Sequence, residues 1–385
     1  MPRNELLVVF LLLSSTISHV GEATSSISAA GQPQKAMPIG RIRTYYIAAD
    51  EVDWDYAPSG KDLIHGEKYH FQDDPASKGT IGPNATVYRK ALFREYTNAD
   101  FKTLKLRSEA WAHLGILGPL IRAEVGDTIE VVFKNNASHD FSVHPHGVFY
   151  AKSSEGASYQ DETSGNDKAD DNVAPGVTHT YTWLVPERAG PTEHEGSSAF
   201  WLYHSHVNES KDINSGLIGP IIITRRGMAR DDGSPKDTDR EFVAQFGLYD
   251  EHLSWYWDTN LKRLYGDPKN YEGTNIRIHD FHHFYTINGY IDGNGPMMTM
   301  HKGERVRWYV FANPNDEETW DIHTGHWHGQ TAVIDHMRTD MIMVTPMMSA
   351  IADMVPDNPG IWLLHCHMPG HFSAGMRTRF QVLPQ

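Results

Sequence analysis

The chain has 385 residues, 39% of them hydrophobic, with 32 Gly, 21 Pro and a formal charge of −15. That length is enough for two or three domains with real cores. The acidic balance argues against nucleic acid as a partner, because phosphate binding needs a basic surface, and a single cysteine excludes an internal disulfide framework.

Residues 1–20, MPRNELLVVFLLLSSTISHV, carry Arg3, an apolar run from Leu6 to Leu13 and then small residues. This is the pattern of a secretory signal peptide, placed at 1–24, and it implies a secreted or periplasmic protein. The run is too short to span a bilayer and no later stretch approaches 18 apolar residues, so no transmembrane segment is expected. Sequons for N-glycosylation stand at Asn84, Asn136 and Asn208.

The rest of the chain repeats one plan twice. IRAEVGDTIEVVFKN (121–135) leads into HPHG (144–147), and MTMHKGERVRWYVFAN (298–313) leads into HWHG (326–329). Each copy turns at Gly126-Asp127 or Gly303-Glu304 and continues in an alternating, β-branched or aromatic run, the signature of a strand. Each copy closes alike, FWLYHSH (200–206) before GLIGPIIIT (216–224), and IWLLHCH (361–367) before GMRTRFQVL (375–383). Many short strands with regular turns and no long helical period predict an all-β protein of two β-sandwich domains, 38–226 and 238–385. The polar stretch RRGMARDDGSPKD (225–237) reads as the linker, and 153–176 as a long surface loop.

Four His-x-His pairs stand at equivalent places, two per copy: His144/His146, His204/His206, His326/His328 and His365/His367. Chance would supply roughly one or two such pairs in a chain with 23 histidines, so it is the repeated placement that carries the signal. On a strand both members of a pair face the same way, and eight imidazoles suit copper, zinc, iron or nickel. Cys366 narrows the choice. It lies between His365 and His367 and so faces the opposite side, where His371, the axial candidate Met376 and His323 can join it. Two His, one Cys and a distant Met make a blue-copper electron-transfer site. Cys366, His365 and His367 would then be a covalent route for single electrons from one metal site to another. In the first copy Ser205 stands where Cys366 stands and Phe141 where His323 stands, so that copy has histidine pairs but no blue copper.

These motifs, together with TYYIAADEVDWDYAP (44–58), LGILGPLIRAEVGD (114–127) and INGYIDGNGPMMTMHKGERVRWYVF (287–311), resemble the multicopper oxidases, most closely their ceruloplasmin/hephaestin-like ferroxidase branch, in a two-domain form similar to small laccases. The resemblance covers almost the whole chain after the leader. It implies two cupredoxin-like Greek-key domains and four coppers per chain, one type 1, one type 2 and two type 3. Type 1 copper would be held by His323, Cys366, His371 and Met376, and type 2 copper by His144 and His326. One type 3 copper would take His146, His204 and His367, the other His206, His328 and His365. The implied reaction is one-electron oxidation of a reducing substrate at type 1 copper, coupled to four-electron reduction of dioxygen to water at the trinuclear cluster.

The substrate is less defined. Ferroxidases of this branch place an acid immediately before the type 1 His, where this chain has Gly370, and an acid and a His upstream of the ING motif, where Asp280 and Tyr285 fall, with His279, His282 and His283 close by. HDFHHF (279–284) reads as a polar strand edge. Eleven of the 14 methionines lie between Met297 and Met376, which suits core filling and also a soft Cu(I) substrate. The expected reductant is therefore a phenol or aromatic amine, as for a laccase, or a metal ion, Cu(I) or Fe(II). A copper nitrite reductase would need its Cys in the first domain, and a non-enzymatic copper-storage protein would not need the complete ligand set. Each domain supplies four of the eight cluster histidines. In six-domain relatives the cluster joins the first and last domains, so the resemblance implies a homotrimer, with domain 2 of one chain meeting domain 1 of the next.

Overall fold

The computed structural model describes residues 40–69, 86–267, 282–314 and 322–385. The expected leader, Asn84, His279 and Asp280 lie outside them. Among the described residues no helix is long and apolar enough to cross a membrane.

The first copy is a pair of sheets. One has five strands in the order Val87–Tyr96, Ile42–Asp55, Thr128–Asn135, Thr178–Leu184 and Phe149–Tyr150. The other runs Ile121–Glu124, Ile218–Thr224, Ser198–His204 and His144–Pro145. The second copy repeats them, with His283–Ile287, Arg240–Asp250, Val306–Ala312, Ser349–Met354, Ala332–Ile334 and Met337–Thr339 in one sheet. Its other sheet is Met298–His301, Arg377–Leu383, Gly360–Cys366, His323–Trp327 and Met341–Val344. Even the mixed pairing recurs, since Ile42–Asp55 runs parallel to Thr128–Asn135 as Arg240–Asp250 does to Val306–Ala312. The fold is all-β, as the strand patterns predict, and cupredoxin-like, as the resemblance implies.

Each sandwich has its own core, and a third apolar cluster joins them. In Thr128–Asn135 burial alternates, with Ile129, Val131 and Phe133 inward, as a strand with one wet face requires. In its counterpart Val306–Ala312 every residue is buried, because the outward Arg307, Tyr309 and Phe311 pack on the first copy. The Phe200 ring lies 5.3 Å from Tyr309 and 5.7 Å from Phe311. Buried charges at this joint are paired: Arg122 with Glu241 at 2.7 Å, and Lys90 with Glu251.

The repeat also leaves two faces bare. Phe200 and Leu202, 5% and 3% exposed, are covered by the second copy, while their counterparts are Ile361, 57% exposed, and half-buried Leu363. On the receiving side, Arg307, Tyr309 and Phe311 are buried, whereas their counterparts Glu130, Val132 and Lys134 are half-buried and border exposed Leu184 and Phe149.

The 153–176 segment departs from a plain surface loop: Ser154, Asp170 and Asp171 are buried in it. HDFHHF is also not uniformly a polar edge. His283 opens the edge strand, but His282 is 1% exposed, with its Nδ1 2.6 Å from the Tyr88 hydroxyl.

Candidate metal centres

Strand Gly360–Cys366 delivers the chemistry by alternation. Trp362, Leu364 and Cys366 face the second core, and His365 faces away. Cys366 Sγ lies 3.5 Å from His371 Nδ1 and 3.9 Å from His323 Nδ1. His323 arrives on the neighbouring strand, where Gly325 pairs with Cys366 and His326 with His365. His371 comes from a short helix, Pro369–Ser373. Met376 is fully buried in the same core, and its carbonyl accepts the Cys366 N–H at 3.0 Å. Burial alone would push the Cys366 thiol up. Contacts with His323 and His371 and the N–H groups of Met368 and Thr324 outweigh it and bring the thiol down to about 6, so a thiolate is available.

His323, Cys366 and His371 thus stand together, His371 half-buried, and Met376 lies in the adjoining core. The first copy fills the same place with Phe141, Ser205, Asp212 and Leu217, all 0% exposed. Ser205 donates to Asp212 at 2.6 Å, and the Trp255 indole donates to the other carboxylate oxygen at 2.8 Å. Asp212 was not anticipated. Aligning Gly216 with Gly375 places it opposite His371, so the repeat held the signal.

The paired histidines gather in two sets. In the first, ligand atoms of His144, His146 and His204 lie within 4.8 Å of one another, and the His206 ring is 5.2 Å from His144. In the second, His326, His328 and His365 do the same, and the His367 ring is 5.4 Å from His326. Among the described residues no ring contact links the first set with the second. The cross-copy groups expected of the trinuclear cluster are thus not assembled within one chain.

The two sets match in detail. His204 Nδ1 donates to the Ser205 carbonyl at 3.0 Å and His365 Nδ1 to the Cys366 carbonyl at 2.8 Å. Each Nε2 then carries a lone pair, and it faces a second Nε2, that of His146 or His328, at 3.0 Å in both copies. Burial keeps these rings neutral: it pushes His204 well below its ordinary range, His146 to about 4, and His365 and His328 down. The two rings of each pair would hold a metal between them through these Nε2 atoms. His326 Nδ1 is buried without a hydrogen-bond partner, another nitrogen left for a metal. A thiolate with two imidazoles on one side, and neutral imidazoles on the other, fit copper.

Family models described as Multicopper oxidase match residues 96–227 and 265–385. The chain is 38% identical over 347 residues to rat hephaestin, covering 89% of this chain and 30% of the relative. It is 40% identical over 345 residues to human "Ferroxidase HEPHL1", covering 88% and 29%. The chain thus spans about a third of the length of these curated relatives. A solved structure described as a multicopper oxidase superposes with a TM-score of 0.53 at 20% identity, over 90% of this chain and 91% of that one. With both halves matched and the motifs in place, the chain belongs to the multicopper oxidase family, in its ceruloplasmin/hephaestin-like branch.

Proposed function

We propose that this protein is a copper oxidase that takes single electrons from a small reductant at the Cys366 site and delivers them to dioxygen at a cluster completed by a second chain. The observation that carries the reading is the sharing of one strand end. Cys366 Sγ meets His323 and His371 on one face, while its neighbours His365 and His367 stand in the histidine set on the other. In this reading His323, Cys366, His371 and Met376 hold type 1 copper, and His144 and His326 hold type 2. His146, His204 and His367 hold one type 3 copper, and His206, His328 and His365 the other, four coppers per chain. When bound, copper would supply the reversible one-electron chemistry that the side chains lack. The protein's own part is positional. The Ser205 and Cys366 carbonyls fix the ring orientation of His204 and His365 and keep Nε2 unprotonated. The backbone between Cys366 and His365 or His367 is the electron route.

Two bare faces support assembly. Ile361 and Leu363 repeat a face that is buried elsewhere in the chain, and Glu130, Val132 and Lys134 repeat the face that buries it. A second copy docked head to tail would cover both, and such a contact must close into a ring to avoid filaments. We read the ring as a homotrimer in which each joint unites the histidine set of domain 2 with that of domain 1 in the next chain. The domain spans 38–226 and 238–385 and export by the 1–24 leader complete the reading.

For the reductant, the ferroxidase name of one relative supports Fe(II). A second class is favoured by the surroundings of His371: the Tyr285 ring stacks on it at 4.8 Å, and Gly370 beside it opens to free space. An aromatic reductant would meet an aromatic platform there. Oxygen-consumption kinetics with Fe(II), Cu(I) and a phenol side by side decide between them. No oxygen uptake with any of the three, from copper-loaded protein, would refute the oxidase reading.

A further inference from the structure

The loop between Cys366 and Met376 brings two of the four type 1 residues to the site, yet little of it is held by core packing. Residues 367–370 and 373–374 are exposed. At its far end Gly375 has no side chain and a φ of +109°, and a Cβ there would sit 2.9 Å from Ile291. The loop is held at its start by the His367 N–H on the Thr324 carbonyl, in its middle by the Tyr285 ring on His371, and at its far end by what holds residues 375–377.

That hold is a buried charged clamp. Arg377 Nε donates to Asp292 at 2.6 Å, and its terminal nitrogen donates to Asp62 at 3.0 Å. The three side chains are only 9%, 9% and 14% exposed. Asp292 also donates its N–H to the Gly375 carbonyl, and Gly293 donates to the Arg377 carbonyl, both at 2.9 Å. Asp62 belongs to the first copy, on the hairpin Lys61–Asp62 and Glu67–Lys68, and Leu63 beside it donates to the Asp292 carbonyl at 3.0 Å. The Arg377 guanidinium also lies 4.8 Å from the centre of the Phe372 ring, which meets His365 edge-on at 4.9 Å. One cation thus touches the parts of the loop nearest both candidate centres.

We propose that Arg377, held by Asp62 of the first domain and Asp292 of the second, is a positioning residue that sets the placement of His371 and Met376 around Cys366. This rests on the type 1 assignment above. A planar guanidinium with two carboxylates has one low-energy orientation, so it can transmit the position of the first-domain hairpin to the loop. Removing one carboxylate leaves buried charge partly uncompensated, and the side chain must move. The axial ligand and the hydrogen bonding around a cysteine sulfur tune a blue-copper potential, so a displaced loop is read out there.

The test compares copper-loaded full chain with Asp62→Asn and Arg377→Lys, by visible and electron paramagnetic resonance spectra and by midpoint potential. Thermal unfolding of the copper-free proteins runs in parallel. Both variants should stay blue with altered spectra. Their midpoint should shift by at least a tenfold change in oxidised-to-reduced ratio at fixed poise, about 59 mV for one electron. Lys68→Ala, which removes an exposed side chain of the same hairpin and leaves the clamp, should change neither. If Arg377→Lys does not fold, Asp62→Asn decides alone. A blue wild-type protein with an Asp62→Asn variant of identical spectrum and potential, even one less stable to heat, would overturn the clamp. A colourless copper-loaded wild-type protein would overturn the type 1 assignment and the clamp with it.

Discussion

Ile361→Asp should turn a blue, oxygen-reducing trimer into a blue, inert monomer without touching any metal ligand. Ile361 is 57% exposed in the single chain, where its counterpart Phe200 is 5% exposed under Tyr309 and Phe311. If the next chain covers Ile361 in the same way, roughly 100 Å² of apolar surface is buried, about 2.5 kcal/mol at 25 cal/mol per Å². Losing that term alone weakens each contact by nearly two powers of ten. The new carboxylate adds the cost of burying a charge beside Val132 and Glu130, with only Lys134 to offset it. A ring has this contact at every joint, so the loss acts on each of them. Light scattering reads the mass, the visible spectrum reads the Cys366 site, and an oxygen electrode reads turnover. The variant should fall to monomer mass, keep its colour and lose oxygen uptake. A trimer of normal activity would show that this face is not the joint, and a fully active monomer would refute the shared cluster itself.

Other consequences follow from the same geometry. Cys366→Ser should abolish both colour and turnover while the histidine sets still bind copper, as metal analysis would register; a blue variant would contradict the thiolate assignment. His326→Ala should keep the colour and stop oxygen uptake, and an active variant would place His326 outside the cluster. Met376→Leu should remain blue with a raised midpoint potential, since the axial ligand tunes it; a colourless but folded and metallated variant would deny Met376 that role. His113 gives a pH effect remote from copper. It is buried where the two domains meet, its Nε2 accepting the Val243 N–H at 3.2 Å, and burial lowers its pKa from 6.5 to about 4. The unfolded chain binds that proton first, so His113 makes stability fall as pH drops from about 6.5 to 4, by up to ~1.4 kcal/mol per pH unit. Denaturant unfolding of His113→Gln should show a shallower decline over that window, and an unchanged slope would refute the attribution.

The sandwiches were legible because each core strand alternates or repeats. Ile129, Val131 and Phe133 mark an inward face in sequence and in structure. The type 1 set was legible because strand alternation separates Cys366 from His365 and His367, and the motif supplies His371 and Met376 locally. What escaped the reading lies between elements far apart in the chain. Val306–Ala312 is apolar or aromatic except at Arg307, and docking of the first copy explains why Arg307 and Tyr309 are buried. The Asp62–Arg377 contact spans 315 positions, and no local pattern marks either residue. His282 reads as a polar edge because its neighbours are polar, whereas Tyr88, from a strand nearly 200 residues earlier, encloses it. Asp212 was recoverable from the internal repeat, which aligns it with His371.

The most direct test of the shared cluster mixes two inactive proteins, His146→Ala and His326→Ala, after dissociation and reassembly. Each variant alone has a defect at every joint. In each mixed trimer one joint in three unites an intact first domain with an intact second domain, which is about a quarter of all joints in a random 1:1 mixture. Oxygen uptake should therefore recover to about a quarter of the wild-type rate, since the blue site feeding each intact joint is unaltered. No recovery in rings shown by mass to contain both chains would contradict a cluster built from two chains, as would full activity of either variant alone.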